Sequence, residues 1–245
     1  MVSPGAPQGR TVLVVGATGR LGVAIARALQ ARGDRVVLTA RDPHKLEVLS
    51  ADLARAPGAA GWKAPFVTAD LSHPDAVERI VAGLRAGVAA IDDVILASGP
   101  FPRTPFEELR REDLERTLAV HAVAPLLLVH ALAGDLARAK GAVVALGDAG
   151  TTKPYTNHVA YLVAKGAAQT GLRALAVELA PDVRVNVVQL GIVADPEADR
   201  DPLRTHRLAT RSLLGRFGTA QEVVHVVLAL LDATWATGEV WGIGR

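Results

Sequence analysis

Residues 11–22 read TVLVVGATGRLG. Five apolar or β-branched residues run into Gly16, and two further glycines follow at three-residue spacing, Gly19 and Gly22. The opening run has no polar alternation, as expected of a strand covered on both faces. Behind it, "RLGVAIARALQARG" (20–33) repeats its apolar residues at helical spacing and stops at Gly33. In this order of strand, glycine turn and helix, the glycines let the backbone turn tightly and approach a pyrophosphate. The helix start adds unpaired N–H groups and partial positive charge. The spacing alone fits a tight turn as well as a nucleotide, and the rest of the chain decides between them.

Outward from this stretch the same alternation repeats. Strands are expected at 35–40, 64–69, 91–98, 141–147, 183–190 and 238–243, and helices at 43–56, 73–87, 106–139, 157–180 and 220–232. Strands alternating with helices imply an α/β fold, a single doubly wound Rossmann-type domain over residues 1–245 with a parallel sheet of about seven strands. The least regular stretch, 191–216, reads as either a substrate lid or an ordinary surface excursion.

Composition narrows the class. The 245 residues are 50% hydrophobic, enough for a sizeable core. A net charge of +2 argues against nucleic acid or an anionic membrane as partner. The chain has no cysteine, which fits a reducing cytoplasm and excludes disulfides and thiolate zinc sites. No His/Asp/Glu grouping has metal-ligand spacing, and no run approaches the roughly 18 apolar residues of a membrane span. The start has no apolar stretch of signal-peptide length. A cytoplasmic enzyme acting on a small molecule is the resulting expectation.

The second strand ends "LTARD" (38–42). NAD-binding folds usually carry an acid there to grip the ribose diol; Arg41 instead suits a 2′-phosphate, favouring NADP(H). Arg41 and Asp42 are alternatively plain surface charges. Asp70 in "TADLS" either accepts from an adenine amino group or caps the next helix.

"LGDAGTTKPYTNHVAYLVAKG" (146–166) carries the chemistry. Tyr161 and Lys165 stand four apart and so share a helix face. The position holds Lys although Arg outnumbers Lys 22 to 5. An ammonium there would hold a cofactor ribose and lower the phenol's pKa, making Tyr161 a general acid near neutrality. Asp148 lies thirteen residues before the tyrosine, where it either faces the same cleft or caps the turn "GDAGTT".

These residues carry a resemblance. The chain resembles the short-chain dehydrogenase/reductases along nearly its whole length, through the glycine loop, "ADL" (69–71), "ILASGP" (95–100), Tyr161-x-x-x-Lys165 and "RVNVVQLG" (184–191). The resemblance implies that Gly16, Gly19, Arg20, Leu21, Gly22, Arg41, Asp70, Leu71, Ser98, Gly99 and Gly191 lie along the cofactor. It also implies that the helical segments 106–139 and 157–180 pack into a homotetramer or homodimer. Several positions depart from the usual pattern. Asp148 replaces a serine, Ala97-Ser98-Gly99-Pro100 replaces Asn-Asn-Ala-Gly, His121 replaces an asparagine, Arg20 a glycine, and Leu190 the proline before Gly191.

Two of these departures coincide with the pteridine reductase branch, which has Arg in the glycine loop and Asp ahead of Tyr-x-x-x-Lys. Phe101 falls where that branch stacks an aromatic on the pterin, and Arg20 would bridge cofactor phosphate and pterin oxygen. "VHAVAPLLLVHAL" (120–132) is similar to the dihydromonapterin and dihydrofolate reductases, some of which share the His at 121. Otherwise Phe101 is ordinary core and His121 a satisfied buried histidine. Electrostatics favours the same branch. Reducing a ketone builds negative charge on oxygen, which an ionised Asp148 at ~4 Å opposes by about 4 kcal/mol at an effective dielectric of ~20. Reducing C=N requires a proton on nitrogen instead. The expected activity is NADPH-dependent reduction of a pteridine-like C=N bond by Tyr161, Lys165 and Asp148. The alternatives are an NADP-dependent carbonyl or 3-oxoacyl reductase, and a dinucleotide-binding sensor without turnover.

Overall fold

The computed structural model describes residues 9–56, 61–88, 90–194 and 202–244. Seven strands form one sheet: β1 (Thr11–Val15), β2 (Arg35–Ala40), β3 (Phe66–Thr68), β4 (Asp93–Leu96), β5 (Ala142–Asp148), β6 (Arg184–Leu190) and β7 (Val240–Ile243). Their order is 3-2-1-4-5-6-7 and every pairing is parallel. The expected architecture is therefore present, with strand ends differing from the expected bounds by at most two residues. The order reverses at β1, whose last residue Val15 pairs with Thr39 on one side and Leu96 on the other. Ligands of such sheets bind in the crevice outside the carboxyl ends at that switch point.

Among the described residues there are eight α-helices: α1 (Arg20–Arg32), α2 (Pro43–Leu53), α3 (Ala76–Gly87), α4 (Arg111–Leu118), α5 (Ala124–Arg138), α6 (Val159–Glu178), α7 (Pro202–Ala209) and α8 (Ala220–Asp232). Alternate strand residues feed two cores. Leu13, Val94, Val143 and Val185 pack with Ile80, Leu128 and Leu172 of α3, α5 and α6. Val12, Val36, Val144 and Val188 pack with Ile25, Leu46 and Val227 of α1, α2 and α8. This two-sided burial is why the strand sequences are apolar throughout.

Local chemistry sets the helix ends. Asp42 accepts from the Lys45 amide and Pro43 opens α2. Thr219 and Glu222 form a reciprocal capping box on α8. Asp70 does not cap α3, whose first residue is Ala76; it accepts instead from the amide and hydroxyl of Ser72 in the preceding turn.

The segment expected as one helix over 106–139 is broken. A short 3₁₀ turn, Phe106–Glu108, precedes α4, and a π-helical turn, Ala119–Val123, joins α4 to α5. The rod Arg111–Arg138 is 28 residues long and contains an 18-residue window of mean hydropathy 1.8. By length and composition it could cross a membrane, contrary to the expectation from the sequence, but Leu128, Leu132 and Leu136 are completely buried in the core.

The stretch 191–216 is partly described, and 195–201 lies outside the described residues. Its start is strapped down. Gly218 N donates to Ile192 O at 2.9 Å and Ala194 N donates to Gly218 O at 2.8 Å.

Candidate active site

A cleft of about 800 Å³ opens at the switch point. Gly16, Gly19, Arg41, Asp70, Leu71, Ser98 and Gly99 line it, together with Thr18, Lys45, Arg116, Thr117 and Val120. Gly16 has φ +81°, and a Cβ there would stand 2.5 Å from Ser98 Cα. The loops after β1 and β4 therefore touch backbone to backbone, at a position that only glycine fits. The α1 N-terminus beside it has no side-chain cap and no acid in its first turn. Its free N–H groups and dipole suit a pyrophosphate. Near the end of β2, Arg41 is exposed while the Asp42 carboxylate is engaged as the α2 cap. This donor set fits a phosphorylated dinucleotide.

Arg20, Leu21 and Gly22 carry those free amides at the start of α1, and they and Gly191 also make structural contacts. Gly22 is a packing glycine: a Cβ would meet Gly16 O at 2.3 Å, so its absence lets α1 close on the loop. Leu21 packs against the core. Gly191 donates its amide to Ile243 O at 2.8 Å, tying β6 to the C-terminal strand. The exposed Arg20 guanidinium sits on the carbonyl oxygens of Val193, at 3.2 Å, and Ala194, securing the segment after β6 to the glycine loop.

The chemical groups gather at the carboxyl end of β5. Asp148 is the last residue of that strand and Leu146 lies two before it, on the same face. α6 packs over the opposite face, that of Val143 and Ala145, and carries a stripe of Ala160, Ala164 and Ala168, whose small side chains let the helix approach closely. That approach brings Lys165 Nζ to 2.8 Å from Leu146 O and the Tyr161 hydroxyl to 2.9 Å from Asp148 Oδ2. Asp148 Oδ1 accepts from Gly150 N at 2.7 Å and from the Tyr155 hydroxyl at 3.0 Å. The carboxylate caps the turn and also meets the tyrosine, and neither side chain is among those that line the large cleft.

Phe101 is not core; it is 59% exposed and sits among other rings. Its centroid lies 4.9 Å from Tyr161, edge to face, and 4.3 Å from His158 in a near-parallel stack. Pro100 and Pro102, its neighbours, line the large cleft. His158 is held by Pro102 O at 2.8 Å from Nδ1. His121 is 5% exposed, and its Nε2 lies 3.0 Å from Pro100 O. A carbonyl only accepts, which assigns the proton to Nε2 and leaves Nδ1 as a bare acceptor. Nδ1 has no hydrogen-bond partner among the described residues. A chamber of about 20 Å³, room for one water, lies behind His121, Ser98 and Lys165.

The electrostatics reverses one expectation. The Tyr161 phenol is pushed above its ordinary pKa, first by burial and then by the Asp148 carboxylate; Tyr155 is raised by the same two causes. Lys165 is brought down to about 8, because burial disfavours its ammonium more than Asp148 favours it. His121 is brought down to about 3 by burial and the nearby Lys165 charge, so it is neutral at ordinary pH. Lys165 does not make this phenol acidic. Asp148 holds its proton in place.

Tyr155 and His158 were not singled out in the sequence. The available signal was scarcity: the chain has two tyrosines, and both lie within the same short segment.

Residues 16–243 match the family model described as enoyl-(acyl carrier protein) reductase. L-xylulose reductase of Bos taurus is 32% identical over 230 residues, 91% of this chain and 89% of that one. Dihydromonapterin reductase of Klebsiella pneumoniae is 27% identical over 241 residues, 96% and 95% of the two chains. The solved structure of L-sorbose reductase from Gluconobacter frateurii, complexed with NADPH and L-sorbose, superimposes with a TM-score of 0.88 at 21% identity, covering 96% of this chain and 95% of that one. Identity to the pterin reductase is below identity to the sugar reductase, so these comparisons do not single out the pteridine branch. With a family match spanning nearly the whole chain, the protein belongs to the short-chain dehydrogenase/reductase family of oxidoreductases.

Proposed function

We propose that the protein is an NADP(H)-dependent reductase of a flat, pteridine-like C=N substrate. The observation that carries this reading is the Asp148 carboxylate bonded to the Tyr161 hydroxyl at the head of the Tyr161–Lys165 helix face. Gly16, Gly19, Ser98, Gly99, Asp70 and Leu71 would hold the dinucleotide along the cleft, with Arg41 on its 2′-phosphate. The NADPH named in the structure of L-sorbose reductase agrees with that choice. When bound, the dinucleotide supplies the hydride.

The chain's own groups manage the proton. A ring nitrogen beside Tyr161 and Asp148 is drawn toward its protonated, cationic form, which is the better hydride acceptor. The ring nitrogen takes its proton from solvent; its N–H donates to Asp148 Oδ2 or to the Tyr161 hydroxyl oxygen, and the carboxylate, which keeps the phenol protonated, offsets the positive charge. Lys165, with its pKa near 8, keeps positive charge close to the cleft at neutral pH. Phe101 offers an edge wall against which a flat ring gains roughly 0.5–1.5 kcal/mol beyond area burial. The same carboxylate opposes an alkoxide-like transition state, which disfavours ketones.

A carbonyl reductase is the second reading, favoured by the L-xylulose reductase relative. A panel following NADPH oxidation with dihydropterins, dihydrofolate, ketoses and 3-oxoacyl thioesters separates the two. Turnover of ketoses or thioesters with none on pterins overturns the first reading. Exposed Val123 and Leu127 on the Arg111–Arg138 rod and Val159 and Val163 on α6 support association through that face. Light scattering should give a dimer or tetramer.

A further inference from the structure

A carboxylate offers about four lone-pair positions, two on each oxygen. Asp148 has three occupied. Oδ1 accepts from Gly150 N and Tyr155 Oη, while Oδ2 accepts from Tyr161 Oη. One position, on Oδ2, is left for a substrate.

The phenol that fills Oδ1 is firmly seated. A Cβ at Gly150 would lie 2.4 Å from Tyr155 Cε1 and 2.6 Å from Leu162 Cδ2, so the tyrosine ring rests where a side chain at 150 would be. His158 meets the ring edge-on at 5.2 Å and Phe101 at 6.1 Å. Glycine and tyrosine are matched, and the ring is held by neighbours on several sides.

We propose that Tyr155 is a specificity-determining residue: by occupying Oδ1 it limits Asp148 to one free acceptor position, so that the site takes ring substrates through a single N–H donor. This rests on the reading of Asp148 as the group facing the substrate. A ring with two adjacent donors, a lactam N–H and a neighbouring amino group, matches both oxygens of a free carboxylate in a paired, bidentate fashion. Tyr155 denies it the second oxygen. Removing the hydroxyl while keeping the ring should release that oxygen without disturbing the aromatic wall.

The test compares pterin, which has both donors, with pteridin-4-one, which lacks the amino group. Their binding to the NADP⁺-loaded protein is measured by calorimetry for wild type, Tyr155→Phe and Asp148→Asn. Wild type should bind the two within about threefold of each other, and Tyr155→Phe should prefer pterin by roughly tenfold, the worth of one added hydrogen bond to a charged group. A purely structural role for Tyr155 would weaken both ligands alike and leave the ratio unmoved. An unmoved ratio, or a wild type that already prefers pterin by tenfold, overturns the proposal while the Asp148 reading stands, provided Asp148→Asn weakens both ligands. Unchanged binding in Asp148→Asn, or no binding of either ligand to wild type, removes the Asp148 reading and the Tyr155 proposal with it.

Discussion

Asp148→Asn keeps the shape of the side chain and removes its charge. The carboxylate is one hydrogen bond, 2.9 Å, from the Tyr161 hydroxyl. A protonated substrate nitrogen bonded to either group therefore lies close enough to feel its field. At ~4 Å and an effective dielectric of ~20, that interaction is about 4 kcal/mol. The site is half-buried and solvent screens part of it, so about 2 kcal/mol is a fair working value, roughly thirtyfold in rate. The sign depends on the substrate. A C=N substrate that becomes cationic loses this stabilisation, whereas a ketone that becomes alkoxide-like is relieved of an opposing charge. The assay is kcat/KM for a dihydropterin and for a ketose on the same preparations. The dihydropterin value should fall about thirtyfold while the ketose value holds or rises. A second readout is ultraviolet titration of the phenols. Both tyrosines of the chain bond to this one carboxylate, so the titration reports this site alone. Burial remains in the variant and the Asp148 charge does not, so both phenols should titrate at lower pH. Equal losses on both substrates, or an unmoved phenol titration, would refute the electrostatic account.

Gly16→Ala should weaken NADPH binding by at least roughly tenfold in fluorescence titration, since the left-handed backbone alone costs an alanine that much and the new Cβ meets Ser98 Cα at 2.5 Å. Arg41→Ala should cost NADPH roughly ten- to a hundredfold in KM and leave NADH nearly unaffected; equal effects on both cofactors would remove Arg41 from the 2′-phosphate. His121 binds its proton near pH 3 when folded against an ordinary value of 6.5. The unfolded chain therefore takes up the proton first, and stability falls as pH drops from 6.5 toward 3, with no contribution above. His121→Gln should flatten that part of the urea-midpoint profile. Lys165 is depressed to about 8, so kcat/KM should decline as pH rises through that value. In Asp148→Asn the decline should begin at lower pH, because Asp148 is the group that holds the lysine up.

What was legible in the sequence was local or periodic. The strand–glycine–helix order, the two-sided apolar strands and the four-residue step from Tyr161 to Lys165 each follow from backbone geometry within a few residues, and each is present. Asp148 was legible because it stands thirteen residues before Tyr161, where the family resemblance expects a serine. The rest depended on chain segments that meet only through the tertiary fold. Phe101 stacks on His158 because the loop after β4 bridges to the start of α6 at Thr104 and His158. Arg20 grips carbonyls 173 and 174 residues away. The direction of the Tyr161 shift could not be read from residue types, since it depends on how deeply the phenol is buried and which neighbour it touches. The glycine pattern was legible as a whole, but which glycine faces the cleft and which packs under a helix was decided by where α1 comes to rest.

The π turn at Ala119–Val123 carries a consequence for how this region can vary. There Ala124 N donates to Ala119 O, one residue further back than in an α-helix. One residue of an α-helix is about 100° of rotation, so the extra residue works like the throw of a crankshaft between two lengths of a single rod. Upstream, Arg116 and Thr117 are aimed at the cleft; downstream, Leu128, Leu132 and Leu136 are aimed at the core. Side chains within the turn can be exchanged while that phase offset survives. Excising or adding one residue there would swing one half of the rod by about a quarter-turn, exposing leucines or turning the cleft wall away.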